Sequence, residues 1–365
     1  NWYDTRTLQP LNPLYVSTVD SGNYVCYLIT LGEGIKNYYA SPLVDPVFVN
    51  GLKDTIRNGL GDGEAFPPGF TYFDFIEKEG KIELALWNRA LDEFINGTVI
   101  AGVKKPVWKA KAVQMAQMLK EELNEFAPWA AMAETAPEEL FKDDLADETN
   151  ELLKILKTNV SLQDFPAVNK SIIKQIDKLL KCTVKMKGQS FQKGYAWLNE
   201  LIAAVLKANE SASDFQKKYK QLIGRIEDLS FNTSFAPLYN ESRQLFSIGY
   251  NIEEKKLTNS YYDLLASEAR QTSFIAIARG DVPYKHWFML GRALTVVDRF
   301  KGLISWSGTM FEYLMPLLIM KCYRNTLLDE TYSFAVKSQR KYGKIREMPW
   351  GASESCFGTP IALYL

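Results

Sequence analysis

Histidine is nearly missing from this chain: His286 is the one example among 365 residues. That scarcity excludes HExxH and multi-histidine metal centres and leaves no spare imidazole for most catalytic triads. Proton transfer therefore falls to carboxylates, lysine, tyrosine or cysteine. Cysteine is scarce too, and Cys26, Cys182, Cys322 and Cys356 form no CxxC, which predicts reduced thiols rather than a disulfide framework. No charge of one sign prevails, since 43 Lys plus Arg balance 43 Asp plus Glu. Such a chain has no net field with which to hold nucleic acid or an anionic membrane, and an uncharged partner is expected. Long hydrophobic runs are rare. The longest, Leu303 to Cys322, is interrupted by Glu312 and Pro316, both costly in lipid, and predicts a buried globular helix. The opening Asn1-Trp2-Tyr3-Asp4 has no targeting character and reads as the start of an excised domain.

What is present is helical spacing. Apolar residues recur at three and four positions nearly everywhere, while period-two alternation is scarce, so the chain reads as all-α. The spacing predicts helices over 20–36, 44–59, 83–97, 106–126, 147–158, 166–185, 190–209, 211–229, 236–248, 258–279, 304–323 and 327–343. Residues 104–230 are rich in Lys, Glu and Gln, with stripes such as Leu152, Leu153, Ile155 and Leu156, and read as outer, solvated helices. The glycine-bearing loop 58–69 neither follows a strand nor opens a helix, so it is no phosphate cradle. With no repeat, low-complexity tract or linker, residues 1–365 are expected to form a single domain. No cofactor and no metal is implied.

Three acids stand where chemistry is plausible. Glu268 falls on an apolar stripe with Tyr261, Leu264, Leu265, Thr272 and Ile275 if Thr258 caps one long helix. Desolvation there would suit a general acid, whereas an ion pair with Arg279 or Arg292 would make it structural. Glu312 follows Gly308 and Thr309, whose small size leaves room for a sugar hydroxyl. Glu354 stands between serines in Pro349-Trp350-Gly351-Ala352-Ser353-Glu354-Ser355, where a helix start would favour the ionised form that a nucleophile needs. Around these acids lie Tyr250, Tyr262, Trp287, Trp306, Tyr313 and Trp350, rings that serve either as sugar platforms or as core. Asp4 and Asp20 are suited to hydrogen-bond sugar hydroxyls or to cap turns.

Four ordered stretches, NWYDTRTLQPLNPLYVSTVDSGN, YYDLLASEARQTSFIAIARGDVPYKHWFMLGR, LISWSGTMFEYLMP and MPWGASES, closely resemble the middle, glycoamylase-like region of bacterial cyclic β-1,2-glucan synthases. The resemblance covers roughly residues 1–60 and 236–356. It implies an (α/α)6 toroid of helical hairpins. It also implies a cyclization domain that closes linear β-1,2-glucan into a ring, beside glucosyltransferase and phosphorylase-like modules of one polypeptide. That places the domain at the cytoplasmic face of the inner membrane, soluble when isolated. The implied acidic pair falls at Glu268 and Glu354, with Glu312 a substrate-site acid. Trp306, Tyr313, Trp350, Tyr262, Trp287, His286, Arg292, Asp4 and Asp20 complete the expected substrate site. Closing a β-linked chain into a β-linked ring retains the anomeric configuration, which favours double displacement by two carboxylates. An inverting endo-β-1,2-glucanase and a non-catalytic glucan-binding domain are the alternatives. After Ser355 the chain departs from the family pattern, running through Cys356-Phe357-Gly358-Thr359-Pro360 to Leu365.

Overall fold

In the computed structural model, residues 3–61, 63–67, 82–97, 100–142, 145–185 and 191–353 are described, apart from the side chains of 183–185. The described residues are mainly helical, at 61%. In chain order a short strand β1 (Tyr15–Ser17) leads into α1 (Thr18–Ala40). Then come α2 (Pro46–Gly59), α3 (Leu84–Ile95), α4 (Pro106–Phe126), α5 (Ala146–Lys157), α6 (Phe165–Lys185) and the 41-residue α7 (Gln192–Asn232). Short strands follow: β2 (Tyr239–Asn240), β3 (Leu245–Phe246), β4 (Gly249–Asn251) and β5 (Lys256–Leu257). After α8 (Arg270–Ala278) and α9 (Lys285–Met289) come β6 (Leu294–Val297), β7 (Phe300–Leu303), α10 (Met310–Leu314) and α11 (Leu327–Arg346). Among the described residues no helix is long and apolar enough to cross a membrane.

The chain falls into two compact units, Gly34–Leu222 and the paired segments Asn1–Glu33 and Ile223–Leu365. The first is helix on helix. Asp45 caps α2 by accepting from the Val47 amide at 2.8 Å, with Pro46 pre-set for the first turn. The apolar faces of α2 to α7 enclose Leu52, Ile56, Trp87, Phe94, Trp129, Leu152, Leu156 and Phe165, all 1% exposed or less. Charged residues of α5 and α6 stay outside, as the stripe at Leu152 and Leu156 requires.

The second unit mixes short helices with small antiparallel sheets. β1, β4 and β5 form one sheet in the order β1-β4-β5, with Val16 opposite Tyr250; β2 pairs with β3 and β6 with β7. α11 packs on β7 so closely that a Cβ on Gly302 would come within 2.4 Å of the Phe334 ring. α1 meets α8 in the same way, for a Cβ on Gly22 would lie 1.7 Å from Thr272 Oγ1. Both contacts need glycine.

Several expected helices are corrected. Residues 236–248 form a 3-10 turn (Ala236–Leu238) and the β2–β3 hairpin, because Asn240 Oδ1 accepts from the Arg243 amide and fixes a reversal. Within 258–279 only α8 is helical. Thr258 donates its amide to Gly249 O as part of the sheet, Asp263 Oδ1 accepts from the Leu265 amide, and Ser267 has φ of 49°, which a helix does not permit. Within 304–323 only α10 and a 3-10 turn (Met315–Leu318) form, since Gly308 at φ 75° breaks the chain direction before Thr309 caps α10. Conversely, the helices expected over 190–209 and 211–229 are joined in α7, which runs unbroken through Glu210 from Gln192 to Asn232, a stretch where neither glycine nor proline stands at the expected gap.

Candidate active site

The site lies within the second unit and begins with the turn that precedes α8. Glu268 is buried, 6% exposed, and accepts at Oε1 from Asn23 Nδ2 of α1 at 2.8 Å and at Oε2 from the Ser267 hydroxyl. It is a buried acid, as its apolar neighbours demand, yet it sits in a turn and not on a helical stripe. The ion pair considered from sequence is not made. Arg279 donates to the carbonyls of Ser230, Phe231 and Thr233, and Arg292 to those of Leu290 and Trp287. Arg279 also pairs with Asp281 at 3.6 Å, and neither guanidinium pairs with Glu268.

The cation that does approach is Arg270, 1% exposed, which donates to Glu312 O at 3.0 Å and Tyr313 O at 2.7 Å. Burial pulls its pKa below the ordinary value, opposed by Tyr332, Glu268 and Glu312, so both acids lie within its field. Its guanidinium also lies 5.9 Å from the centre of the Tyr332 ring, and its Nε is buried without a partner among the described residues. Glu312, 3% exposed, gathers three donors on Oε2: the Ser307 amide and hydroxyl, each at 2.8 Å, and the Gly308 amide at 3.1 Å. Gly308 reaches this position because its left-handed backbone turns the chain back toward the acid.

A third acid joins them. Asp263 Oδ2 accepts from Trp306 Nε1 at 3.2 Å, and burial raises its pKa above the usual carboxylate range, with the Glu312 charge adding to the rise. The Trp306 ring stacks on Tyr262, 5.7 Å between centres and 27° between planes, while remaining 55% exposed. A flat ring fixed from behind and open in front is a platform on which a sugar can stack. Burial raises the Tyr262 phenol as well, assisted by Tyr15, Glu268 and Asp20, which sets Asp20 near the same group. Asp20 is exposed in the first turn of α1, which Ser17 caps.

Other expected residues sit elsewhere. His286 is fully buried, its Nδ1 paired with Gln244 O at 3.0 Å and its Nε2 with Ser273 Oγ at 2.8 Å, between the edges of Tyr239 and Phe246. Burial lowers its pKa. Tyr313 is buried and donates to Leu303 O, and Trp287 packs half-buried on the core around Leu264, Leu265 and Leu290. Tyr250 lies on β4, partly buried. Asp4 folds its own turn by accepting from the amides of Arg6 and Thr7, which lower its pKa. Trp350 is exposed, in a segment held where Ala352 O accepts from the Met310 amide and from Gln339 Nε2, each at 3.0 Å. Gln339 also donates to Gly308 O, so this segment is tied to the Glu312 turn. Glu354 and residues 355–365 lie outside the described residues.

Sequence reading missed Asn23, Asp263 and Arg270. All three stand inside the quoted motifs, in DSGN, YYDLL and SEAR; small polar or basic side chains there gave no periodic signal.

No protein-family model matches the chain. Over 98% of its length it is 30% identical to a part of the cyclic beta-(1,2)-glucan synthase NdvB of Rhizobium meliloti (strain 1021), and it spans only 11% of that protein. The likeness to cyclic β-1,2-glucan synthases carried by the four motifs thus extends through the middle of the chain.

Proposed function

For a chain similar to one part of a cyclic β-(1,2)-glucan synthase, we propose the ring-closing step: a retaining transglycosylase that converts linear β-1,2-glucan to cyclic β-1,2-glucan with little hydrolysis. Its architecture in this reading is an (α/α)6 toroid forming one functional domain across residues 1–365. The other modules of the longer polypeptide, a glucosyltransferase and a phosphorylase-like part at the cytoplasmic face of the inner membrane, supply and process the glucan.

One observation carries the reading: a buried acid, Glu268, is held by Asn23 in a cluster with Asp263, Glu312 and the half-open Trp306 platform. Glu354 attacks the anomeric carbon while Glu268 protonates the departing glycosidic oxygen. Glu268 then takes the proton from the incoming hydroxyl as the glycosyl-enzyme bond breaks, and the configuration is retained. The two carboxylates could exchange these roles. Ser307 and Gly308 fix Glu312 at Oε2, which suits it to orienting a sugar hydroxyl rather than to relaying a proton. Trp306, backed by Tyr262, and Trp350 serve as platforms.

Ring closure wins over water because the acceptor hydroxyl belongs to the bound donor chain, so its effective concentration is on the order of millimolar or higher. Bulk water still outnumbers it, and ordered stacking must exclude solvent and aim the hydroxyl. The test is incubation with linear β-1,2-glucan without nucleotide sugar, then digestion with an exo-acting β-glucosidase. Resistant product without new reducing ends is expected. Steadily rising reducing ends and nothing resistant would establish a glucanase, and unchanged glucan a binding domain.

A further inference from the structure

Away from the acids, the tip of the β6–β7 hairpin and the middle of α11 flank an open cavity of about 550 Å³ lined by Asp298, Arg299, Phe300, Lys337, Arg340 and Lys341. Four cations and one carboxylate meet there. In a chain whose total charge balances, this is a local excess. From Thr331 to Arg346, α11 carries Lys337, Arg340, Lys341, Lys344 and Arg346 and no acid. Residues 337, 340, 341 and 344 share one helical face, on which like charges repel one another.

An ordinary solvated basic face would spread such charges outward. Here they converge from two elements around one ring. The Phe300 ring has the Arg299 guanidinium 5.6 Å and the Lys337 ammonium 5.5 Å from its centre, and Lys341 pairs with Asp298. Arg340, exposed to solvent, has no hydrogen-bond or ion-pair partner among the described residues, and its guanidinium offers five donors. These donors suit an acceptor with several oxygens and more than one negative charge. A phosphate group is that acceptor, since it matches the forked donors of arginine and offsets several cations at once. The cavity is larger than inorganic phosphate needs and is within the range of small-molecule sites, leaving room for an organic moiety over Phe300.

We propose that this cavity binds a phosphate-bearing ligand, with Arg340, Arg299 and Lys337 holding the phosphate oxygens. The site is independent of the glucan reading. Gln339, on the same turn of α11 as Arg340, donates to Gly308 O and Ala352 O, so an occupant would tighten the helix that supports the Glu312 turn.

The test is calorimetric titration of the chain with a hexose phosphate and, separately, sedimentation with phosphatidylcholine vesicles containing a minority of phosphatidylglycerol, at ionic strength held constant with chloride. The free hexose serves as control. Saturable binding of the hexose phosphate supports the proposal if Arg340→Glu, and Lys337→Ala combined with Arg340→Ala, weaken it by about tenfold or more. Vesicle binding lost in the same variants supports it with a lipid headgroup as the source. The circular dichroism spectrum in phosphate-free buffer should be unchanged in both variants. The proposal is overturned if neither probe binds, if the free hexose binds equally, or if the variants bind as the parent does.

Discussion

Asn23 Nδ2 donates to Glu268 Oε1 at 2.8 Å across 245 positions of sequence, and the Asn23 Oδ1 beside it is buried with no partner among the described residues. A carboxylate so held has one orientation, and positional errors near 1 Å cost about a hundredfold in rate. Asn23→Ala is therefore expected to lower glucan turnover by about tenfold to a hundredfold with the fold retained. Asn23→Asp sets a second carboxylate beside Glu268 and should move the pH dependence of turnover upward. Comparing pH–rate profiles with thermal midpoints checks both; an unchanged profile in Asn23→Asp would remove Asn23 from the mechanism.

Glu268→Gln and Glu354→Gln should each cost on the order of a thousandfold or more in turnover, because an acid and a nucleophile act as a unit. Amide in place of carboxylate keeps the acceptor for Asn23, so the thermal midpoint should stay nearly constant. Unfolding of Glu268→Gln would mark Glu268 as a structural acid instead.

The raised Asp263 carboxyl predicts how stability depends on pH. The folded chain holds this proton more tightly than the unfolded chain. Its contribution is complete below the ordinary carboxylate value of about 3.9 and is lost as pH rises through the higher folded value. Asp263→Asn keeps an acceptor for Trp306 and has no such loss. The thermal midpoint of the parent, relative to that variant, should fall as pH rises above about 3.9. A constant difference in scanning calorimetry would show that Asp263 is not buried as described.

His286 predicts the opposite slope. Burial depresses its pKa, more than the Gln244 carbonyl can offset, so stability is present above the ordinary value of about 6.5 and is lost as pH falls through the folded value. The single imidazole makes the measurement direct: its resonance in a histidine-labelled sample should titrate below that value. A midpoint at or above it would contradict the enclosed ring.

Gly22→Ala tests the approach of α1 to α8. The new methyl would lie 1.7 Å from Thr272 Oγ1 and 2.9 Å from the Thr272 Cα, so the helices must part. Overpacking of this kind costs about 1–3 kcal/mol, and glucan turnover should fall with it because Asn23 lies in the same helix. Adding Thr272→Ser is expected to recover little, since the backbone carbon still conflicts. A midpoint equal to that of the parent would refute the contact.

Most helices in residues 34–222 were legible because long amphipathic runs announce themselves, although α7 was expected as two helices. The 106–126 expectation coincides with α4, and Pro106 marks its start. In the other unit the same spacing misled. The apolar residues around 236–248 and 258–269 pack in hairpins and turns, and β4 is formed by pairing with β1, which lies far away in sequence and has no local signature. Glu268 and Glu312 could be recognised as acids in apolar surroundings, and both are buried. Asn23 could not, because a small amide near a helix start is ordinary until its partner is known. Arg270 was hidden for a related reason: its partners are backbone carbonyls, which every residue carries.

The interrupted order of the second unit has a consequence in time. At ribosomal rates of about 5–20 residues per second, Asn23 emerges roughly 12–50 s before Glu268 exists. During that wait β1 has no β4 to pair with and Gly22 no Thr272 to meet, while residues 34–222 can already bury a core of their own. The acid cluster therefore assembles only after residues 34–222 have been made, and Glu268 cannot be positioned against glucan before Asn23, waiting since early in synthesis, has met it.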